Sequence, residues 1–335
     1  MVGGKDEPSA QRFVPCAAES GPNLRASWRW HTSKIAGAMT ASRLPLDARA
    51  YAILMLCTML WGLQQVAIKW ALPSVAPLTQ AGLRSIIATL LLLGWAQWHG
   101  IRLFSRDGTL AAGTIAGVLF GAEFCFIYGG LAHTTASRMI VFVYLAPVLT
   151  ALGLALFVPG ERLAPLQWAG VLLAFAGLAT AFADGFGAPG RSTLLGDSFG
   201  VIAAALWAAT TVLIRGSSLA RVSAEKTLLY QLAVSALLLP LASRAIGEPG
   251  IVRLDAVAAA SLIFQGVAVA FASYLAWFWL LTRYYAARLA VFSFLAPLFG
   301  VAFGVALLGE RLSVAFAIAA LMVGAGIGLV NFRRR

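Results

Sequence analysis

The sequence predicts an all-α integral membrane protein of ten transmembrane helices, arranged as two inverted repeats of five helices each. The composition gives the first indication, because 60% of the 335 residues are hydrophobic and 11% are charged, whereas about a quarter of the residues in a soluble domain are charged. The second is that ten apolar stretches are long enough to cross a bilayer core of about 30 Å. The third is that short motifs recur once in each half of the chain.

The composition also excludes several classes of protein. The chain is too apolar to be disordered and has too few charges to cover a soluble globule of this length. The net charge of +12 does not indicate nucleic-acid binding, because the basic residues collect near the ends of the apolar stretches. The three cysteines and three histidines lack the spacing of a metal or disulfide site, so we expect no metal and no cofactor. We also expect no enzyme, because Gly196–Gly200 fits the hydrolase pattern GxSxG but opens an apolar span instead of following a strand.

The predicted spans follow one another with short connections rich in proline, glycine and charge. They cover residues 52–71, 79–98, 109–131, 137–158, 165–183, 196–214, 225–243, 256–281, 286–308 and 313–332. These connections leave no room for a second soluble domain. We expect a first five-helix repeat over residues 51–185 and a second over residues 195–332. A polar tail covers residues 1–50, and its residues 1–38 are either a cytoplasmic tail or an over-extended start ahead of Met39.

Basic residues near the span ends set the predicted orientation. If the N-terminus is cytoplasmic, 13 lysines and arginines flank the spans on the inside and 5 on the outside. We therefore expect a multi-pass protein of the cell (inner or plasma) membrane with both termini in the cytoplasm. The lipid bilayer is then its constant partner.

Three motifs recur in the same order in both halves. The recurring pairs are Leu60–Gly62 with Leu206–Ala208, Arg138–Pro147 with Arg288–Pro297, and Gly160–Leu163 with Gly309–Leu312, at offsets of 146, 150 and 149 residues. Because each half has an odd number of spans, the second half enters the membrane upside down. Transporters place substrate at the interface between such inverted repeats.

On these residues the chain resembles the drug/metabolite transporter superfamily, EamA type, over about residues 50–332. The marks are Trp61-Gly62, Arg84, Pro147 followed by Gly160–Leu163, Trp168–Gly170, and the second-half echo of Pro297 with Gly309–Leu312. The chain departs from the pattern at Ala208, which replaces a glycine, and at Tyr230, which takes the repeat position of Arg84.

The resemblance implies a ten-helix secondary transporter of a small-molecule solute. Such carriers often export amino acids or similar small amphipathic solutes by alternating access, and the resemblance does not select one substrate. The alternative from another class is a non-transporting, lipid-handling or receptor-like polytopic membrane protein.

Ionisable residues inside the spans are costly and are therefore candidates for function. Glu123 is the only acid that we expect well inside a span. Among the bases we single out Lys69 and Arg84 as lying inside span limits, with Lys69 close enough to an end for its ammonium group to reach the interface. Arg84 and Glu123 lie at similar predicted depths, which suggests a buried ion pair. Three interpretations stay open: a structural pair, a role in binding a charged substrate group or in proton coupling, and no contact at all.

Helical spacing selects the candidate substrate-binding residues. Polar and aromatic side chains share one face of the first span and the repeat-related face of the sixth. The full predicted set is Trp61, Gln64, Gln65, Arg84, Glu123, Tyr144, Trp207, Thr210, Thr211, Gln265, Ser273, Tyr274 and Trp277. Aromatic walls with a few amides and hydroxyls suit a small zwitterionic or aromatic solute. The competing interpretation is that these groups form hydrogen bonds between helices without a ligand.

Two prolines and several glycine series complete the prediction. Pro147 and Pro297 lie near the middle of the fourth and ninth spans and should kink both helices, as gates or as static bends. Glycines repeat at positions 113/117/121, 300/304 and 324/328, where they permit close helix packing and leave room for a homodimer.

Overall fold

The computed structural model describes residues 44–183, 186, 190–308 and 314–332. Residues 1–38 and the second Gly-Glu-Arg-Leu block, Gly309–Leu312, lie outside the described residues. Within the described ranges, nine helices are long and apolar enough to cross a membrane, and one shorter apolar helix makes the tenth. The predicted all-helical membrane fold is confirmed.

The ten helices begin and end close to the predicted boundaries. They are α1 (Ala48–Ala71), α2 (Pro77–Trp98), α3 (Leu110–Leu131), α4 (Ala136–Phe157), α5 (Pro165–Ala181), α6 (Arg191–Gly216), α7 (Ala224–Ala245), α8 (Ala256–Arg283), α9 (Ala286–Leu307) and α10 (Val314–Asn331). Local signals explain several starts: the Asp47 carboxylate accepts the Ala50 N–H at 2.8 Å, and the Asp255 carboxylate accepts the Ala258 N–H at 2.8 Å.

The two halves interleave. α1 packs against α8 and α9, and its repeat equivalent α6 packs against α3 and α4. α2 packs against α7, and α5 packs against α10, so these helices pair with their own equivalents. Each half therefore completes the interior of the other, as expected of two inverted repeats.

Helices α4 and α9 lose regular geometry just before their prolines. α4 breaks at the turn Tyr144–Leu145 and resumes as Ala146–Phe157. α9 tightens to a 3₁₀ turn over Val291–Phe294, directly before the segment that contains Pro297. The backbone is thus irregular before both prolines, because proline removes a backbone donor and crowds the preceding turn.

One irregularity was not expected from the sequence. α8 is π-helical over Phe264–Ser273, with backbone bonds that span five residues instead of four. Such segments are rare and occur often at functional sites. The repeat-related helix α3 is a regular α-helix.

The glycine series have different neighbours. A side chain at Gly113 would overlap the ring of Tyr230, so the series on α3 packs against α7. Gly300 of α9 lies beside Gly62 of α1, and a side chain at Gly62 would overlap Phe299 and the Gly300 backbone. Nothing within 4 Å would meet a side chain at Gly324 or Gly328. A homodimer formed through α10 stays a prediction.

Two buried ion pairs bind α6 to the first half. The Arg138 Nε donates to Asp197 at 3.0 Å, and the Arg215 Nε donates to Glu161 at 3.1 Å. All four side chains are at most 7% exposed. These residues lie near span ends or in a turn: Arg138 is the third residue of α4, Asp197 the seventh of α6, and Glu161 lies between α4 and α5. The expectation that Glu123 is the only acid well inside a span stays a prediction. α6 starts five residues earlier than predicted (196 − 191), so Asp197 lies in its second turn instead of at its start, and it meets Arg138 there.

Different charged side chains form bonds at the two ends of the α2–α7 helix pair. At one end the Glu248 carboxylate accepts the N–H groups of Leu78 and Thr79, both at 3.1 Å, and caps the start of α2. At the other end the Lys226 ammonium donates to Asp107 at 2.7 Å. This contact and the Thr109 hydroxyl hold the pKa of Asp107 well below its usual range.

Candidate functional site

Four of the predicted residues meet where α1 crosses α8. The Trp61 indole N–H donates to the Ser273 hydroxyl at 2.9 Å, and that hydroxyl donates to the Val269 carbonyl at 2.6 Å. The Trp61 ring meets Trp277 edge-on at 5.3 Å and Tyr274 at 6.2 Å between centroids. Ser273 ends the π-helical segment, so this segment presents Ser273 to Trp61. The result is an aromatic wall with its polar groups already bonded.

Arg84 lies buried on α2 with an incomplete set of partners. Its side chain is 2% exposed, and its Nε has no hydrogen-bond partner among the described residues. The guanidinium carbon lies 4.6 Å from the centroid of the Phe124 ring, a cation–π contact. Burial of a guanidinium without a carboxylate partner costs free energy. Groups of this kind inside a membrane span are therefore candidates for ligand binding.

Glu123 is also buried, at 6% exposed, and does not pair with Arg84. Ion pairs in the described ranges join other residues, and no hydrogen bond from them reaches the Glu123 carboxylate. The prediction of a direct Arg84–Glu123 ion pair was therefore wrong. Neighbouring residues on a helix point about 100° apart, and Arg84 approaches the Phe124 side of α3. The charge of Arg84 still acts on Glu123 through the low-dielectric interior.

Tyrosines connect these two charges to α4 and α8. Both Arg84 and Glu123 act electrostatically on Tyr274, and Glu123 also acts on Tyr144. The Tyr144 ring meets Trp207 edge-on at 5.9 Å. The Arg84 guanidinium, the buried Glu123 carboxyl group and aromatic rings of α3, α4, α6 and α8 thus surround one region. Both repeats contribute to it.

Other predicted residues belong to structural hydrogen bonds. Gln265 lies two turns before Ser273 and donates to Gln80 at 2.9 Å and to Ser261 at 3.0 Å, in a network between α1, α2 and α8. Thr210 donates to the Leu206 carbonyl at 2.9 Å and Thr211 to the Trp207 carbonyl at 3.3 Å. These two hydroxyls bond within α6, as threonine often does in helices.

The two glutamines of α1 differ in burial. Gln64 is 7% exposed, whereas Gln65 is exposed and lies beside Gly300 of α9. The sequence reasoning missed the aromatic side of α3, formed by Phe120, Phe124 and Tyr128. Their spacing of four residues is the signal that could have identified this face. Phe120 meets Phe124 edge-on at 5.3 Å and Tyr274 at 6.0 Å.

A family comparison identifies the protein class. The model of the EamA-like transporter family matches the chain twice, over residues 48–183 and 194–332. The chain belongs to the EamA-like transporter family. The transporter is thus a multi-pass membrane protein with a small-molecule solute as substrate, and the expected superfamily is confirmed.

Individual relatives are similar over most of the transporter. An uncharacterized transporter of Archaeoglobus fulgidus is 27% identical over 294 residues, 86% of this chain and 99% of its own. A probable amino-acid metabolite efflux pump of Escherichia coli is 27% identical over 291 residues, 84% of this chain and 94% of its own. A solved crystal structure matches 85% of the transporter and 96% of its own chain with a TM-score of 0.74 and 22% identity, which shows the same fold.

Proposed function

We propose that this transporter exports an amino acid or a similar small amphipathic zwitterion from the cytoplasm by alternating access. It would act as a secondary transporter in the cell membrane with both termini in the cytoplasm. The observation that supports this best is the buried, incompletely partnered Arg84 close to the unpaired Glu123. The names of the Escherichia coli and Salmonella typhimurium relatives as probable amino-acid metabolite efflux pumps point to the same substrate class.

The chemistry of the site supports a zwitterion over a simple ion. A solute carboxylate can accept from the Arg84 guanidinium, and a solute ammonium can donate to Glu123. Such a ligand satisfies both charges, whereas a purely cationic or anionic solute leaves one of them uncompensated in a low dielectric. The surrounding rings of Phe124, Tyr274 and Trp61 offer an apolar or cation–π surface for the rest of the solute.

The interleaved halves supply a route for alternating access. Both repeats line the candidate site, so rocking of one half against the other can open it on either side. The irregular turns before Pro147 and Pro297 lie in the repeat-related helices α4 and α9. In this proposal these two prolines mark the hinges of the motion.

Transport into proteoliposomes tests the proposal. Vesicles preloaded with a panel of unlabelled amino acids should exchange labelled amino acid from outside, and protein-free vesicles should not. Trp61→Ala should reduce this exchange at normal protein yield, because Trp61 forms the aromatic wall. Gln65→Ala should reduce it as well, if exposed Gln65 faces the solute path. Absence of exchange with every amino acid, together with saturable lipid or ligand binding, would favour the lipid-handling or receptor-like alternative.

Reporter fusions test the orientation. Fusions after residues 187 and 250 should report the outside, and fusions after residues 104 and 221 should report the cytoplasm. A cytoplasmic signal at residue 187 would contradict the proposed orientation of the second half. These fusions depend on topology alone and so remain informative even if the substrate class is wrong.

A further inference from the structure

A polar cavity lies at one end of the helices, apart from the candidate substrate site. It has a volume of about 130 Å³ and lies between the α4–α5 turn and the start of α9. Its polar lining comes from Glu161, Arg162, Gln167, Tyr285 and Arg288. One water molecule needs about 10–15 Å³ of such cavity space, so the cavity has room for a group the size of phosphate.

The acceptor groups of this cavity are already engaged by the protein. The Glu161 carboxylate accepts from the Arg215 guanidinium and from the Ala286 N–H at 3.0 Å. The Gln167 amide oxygen accepts the Ala164 N–H at 3.0 Å, and its amide nitrogen donates to the Val330 carbonyl at 2.7 Å. These bonds neutralise the one acid of the lining and fix the one amide.

Two guanidinium groups of this cavity have no counter-ion among the described residues. Neither Arg162 nor Arg288 forms an ion pair within the part of the chain that the structure describes. Arg288 packs over the Tyr285 ring, with 5.3 Å between the guanidinium carbon and the ring centroid. Two like charges on one small cavity favour an anion that both can reach.

We propose that this cavity binds the phosphate group of an anionic lipid, which goes beyond the proposed transport function. The turn that carries Arg162 follows the end of α4, where Leu156 is 67% and Phe157 is 72% exposed. These apolar side chains can accommodate the acyl chains while the phosphate enters the cavity. Because Arg162 belongs to the first half and Arg288 to the second, the bound phosphate joins the two halves at this end.

Thermal unfolding of the purified full-length protein in detergent tests the site. The protein is titrated with phosphatidylglycerol, with phosphatidylcholine and with inorganic phosphate, and the midpoint temperature is followed. Phosphatidylglycerol should raise the midpoint most, because it carries a net negative headgroup. In R162Q/R288Q the half-saturating concentration should rise about 30-fold. The matched control R102Q/R106Q removes two exposed arginines from the α2–α3 connection and should respond like the parent.

Each outcome decides the proposal. Equal weakening of R162Q/R288Q and R102Q/R106Q would mean general surface attraction and would overturn it, as would an unchanged response of R162Q/R288Q. Saturation by inorganic phosphate alone would support the anion cavity and overturn its assignment to lipid. If R162Q/R288Q does not fold, the exposed Arg162 can be changed alone, and R162Q should still weaken the lipid response.

Discussion

Repeat-related positions in the two halves differ in whether their polar groups are satisfied. Arg84 of α2 corresponds to Tyr230 of α7 (230 − 84 = 146), and Glu123 lies on α3, whose repeat-related helix α8 carries Ser273. The Tyr230 hydroxyl bonds to the Thr109 hydroxyl at 3.1 Å, and Ser273 bonds to Trp61 at 2.9 Å. Arg84 keeps a buried Nε without a partner, and Glu123 forms no ion pair with a described residue.

This difference assigns different roles to the two halves. The second-half residues Tyr230 and Ser273 have partners within the protein, so they serve packing and helix position. The first-half residues Arg84 and Glu123 are buried and form no ion pair among the described residues, which has a cost in stability. A solute that brings the opposite charges would remove that cost. In the proposed function, α2 and α3 therefore supply the groups that recognise the charged ends of the solute, while Tyr230 of α7 and Ser273 of α8 support the structure around them.

Removal of a buried charge that has an ion-pair partner should lower stability, whereas removal of the Arg84 charge should lower transport. Arg215→Leu leaves Glu161 buried without its partner and should lower the free energy of unfolding by about 3–5 kcal/mol. Reversible denaturation in mixed micelles measures this loss. Arg253→Leu is the control, because Arg253 is 69% exposed and its pair with Asp255 should contribute at most about 1 kcal/mol. Equal stability of Arg215→Leu and the parent would contradict the distinction.

Arg84→Gln should impair transport without a comparable loss of folded protein. Loss of a charged partner for a solute carboxylate should reduce exchange about 30-fold. Tyr230→Phe removes only the bond to Thr109 and should change exchange by less than about twofold. Exchange in proteoliposomes, normalised to protein content, gives both values. A poorly folded Arg84→Gln protein would instead mean that Arg84 is structural.

The Lys226–Asp107 ion pair at one end of the α2–α7 helix pair predicts that stability depends on pH. Since Lys226 and Thr109 lower the pKa of Asp107, the stabilisation is complete above the unfolded pKa of about 4 and is lost as pH falls through the lower folded value. Asp107→Asn should therefore have a lower midpoint temperature than the parent from pH 7 to about pH 5, and the gap should narrow below about pH 4. Glu225→Gln, at the start of α7, is the control. A gap that widens in acid would contradict this account.

The smallest effect is expected at Thr211. Its hydroxyl donates to the Trp207 carbonyl of the same helix at 3.3 Å, so its one donor is already used within α6. Thr211→Val should change exchange by less than about twofold, with a stability change near 1 kcal/mol. Trp207→Ala, one turn earlier, should have a larger effect on exchange because it removes the ring that packs on Tyr144. Comparable losses of exchange in Thr211→Val and Trp207→Ala would indicate that Thr211 contacts the solute.

The sequence predicted the spans well because span length and hydropathy are local properties, and the recurring motifs indicated the repeats. Contacts between helices depend on rotation about each axis, which depth along the span does not give. This is why Arg84 was expected on Glu123 and lies on Phe124 instead. The Arg138–Asp197 pair was missed because the predicted start of the sixth span placed Asp197 at the membrane surface. The π-helical segment of α8 has no local sequence signal that we recognise.

The central claim is that Arg84 recognises a solute carboxylate and Glu123 a solute ammonium. Competition for exchange between the best-transported amino acid, its decarboxylated amine and its deaminated acid tests both parts in one assay. The parent and Tyr230→Phe should prefer the amino acid over both analogues. Arg84→Gln should lose the preference over the amine, and Glu123→Gln should lose the preference over the acid. An Arg84→Gln protein that still prefers the amino acid over its amine would contradict the claim.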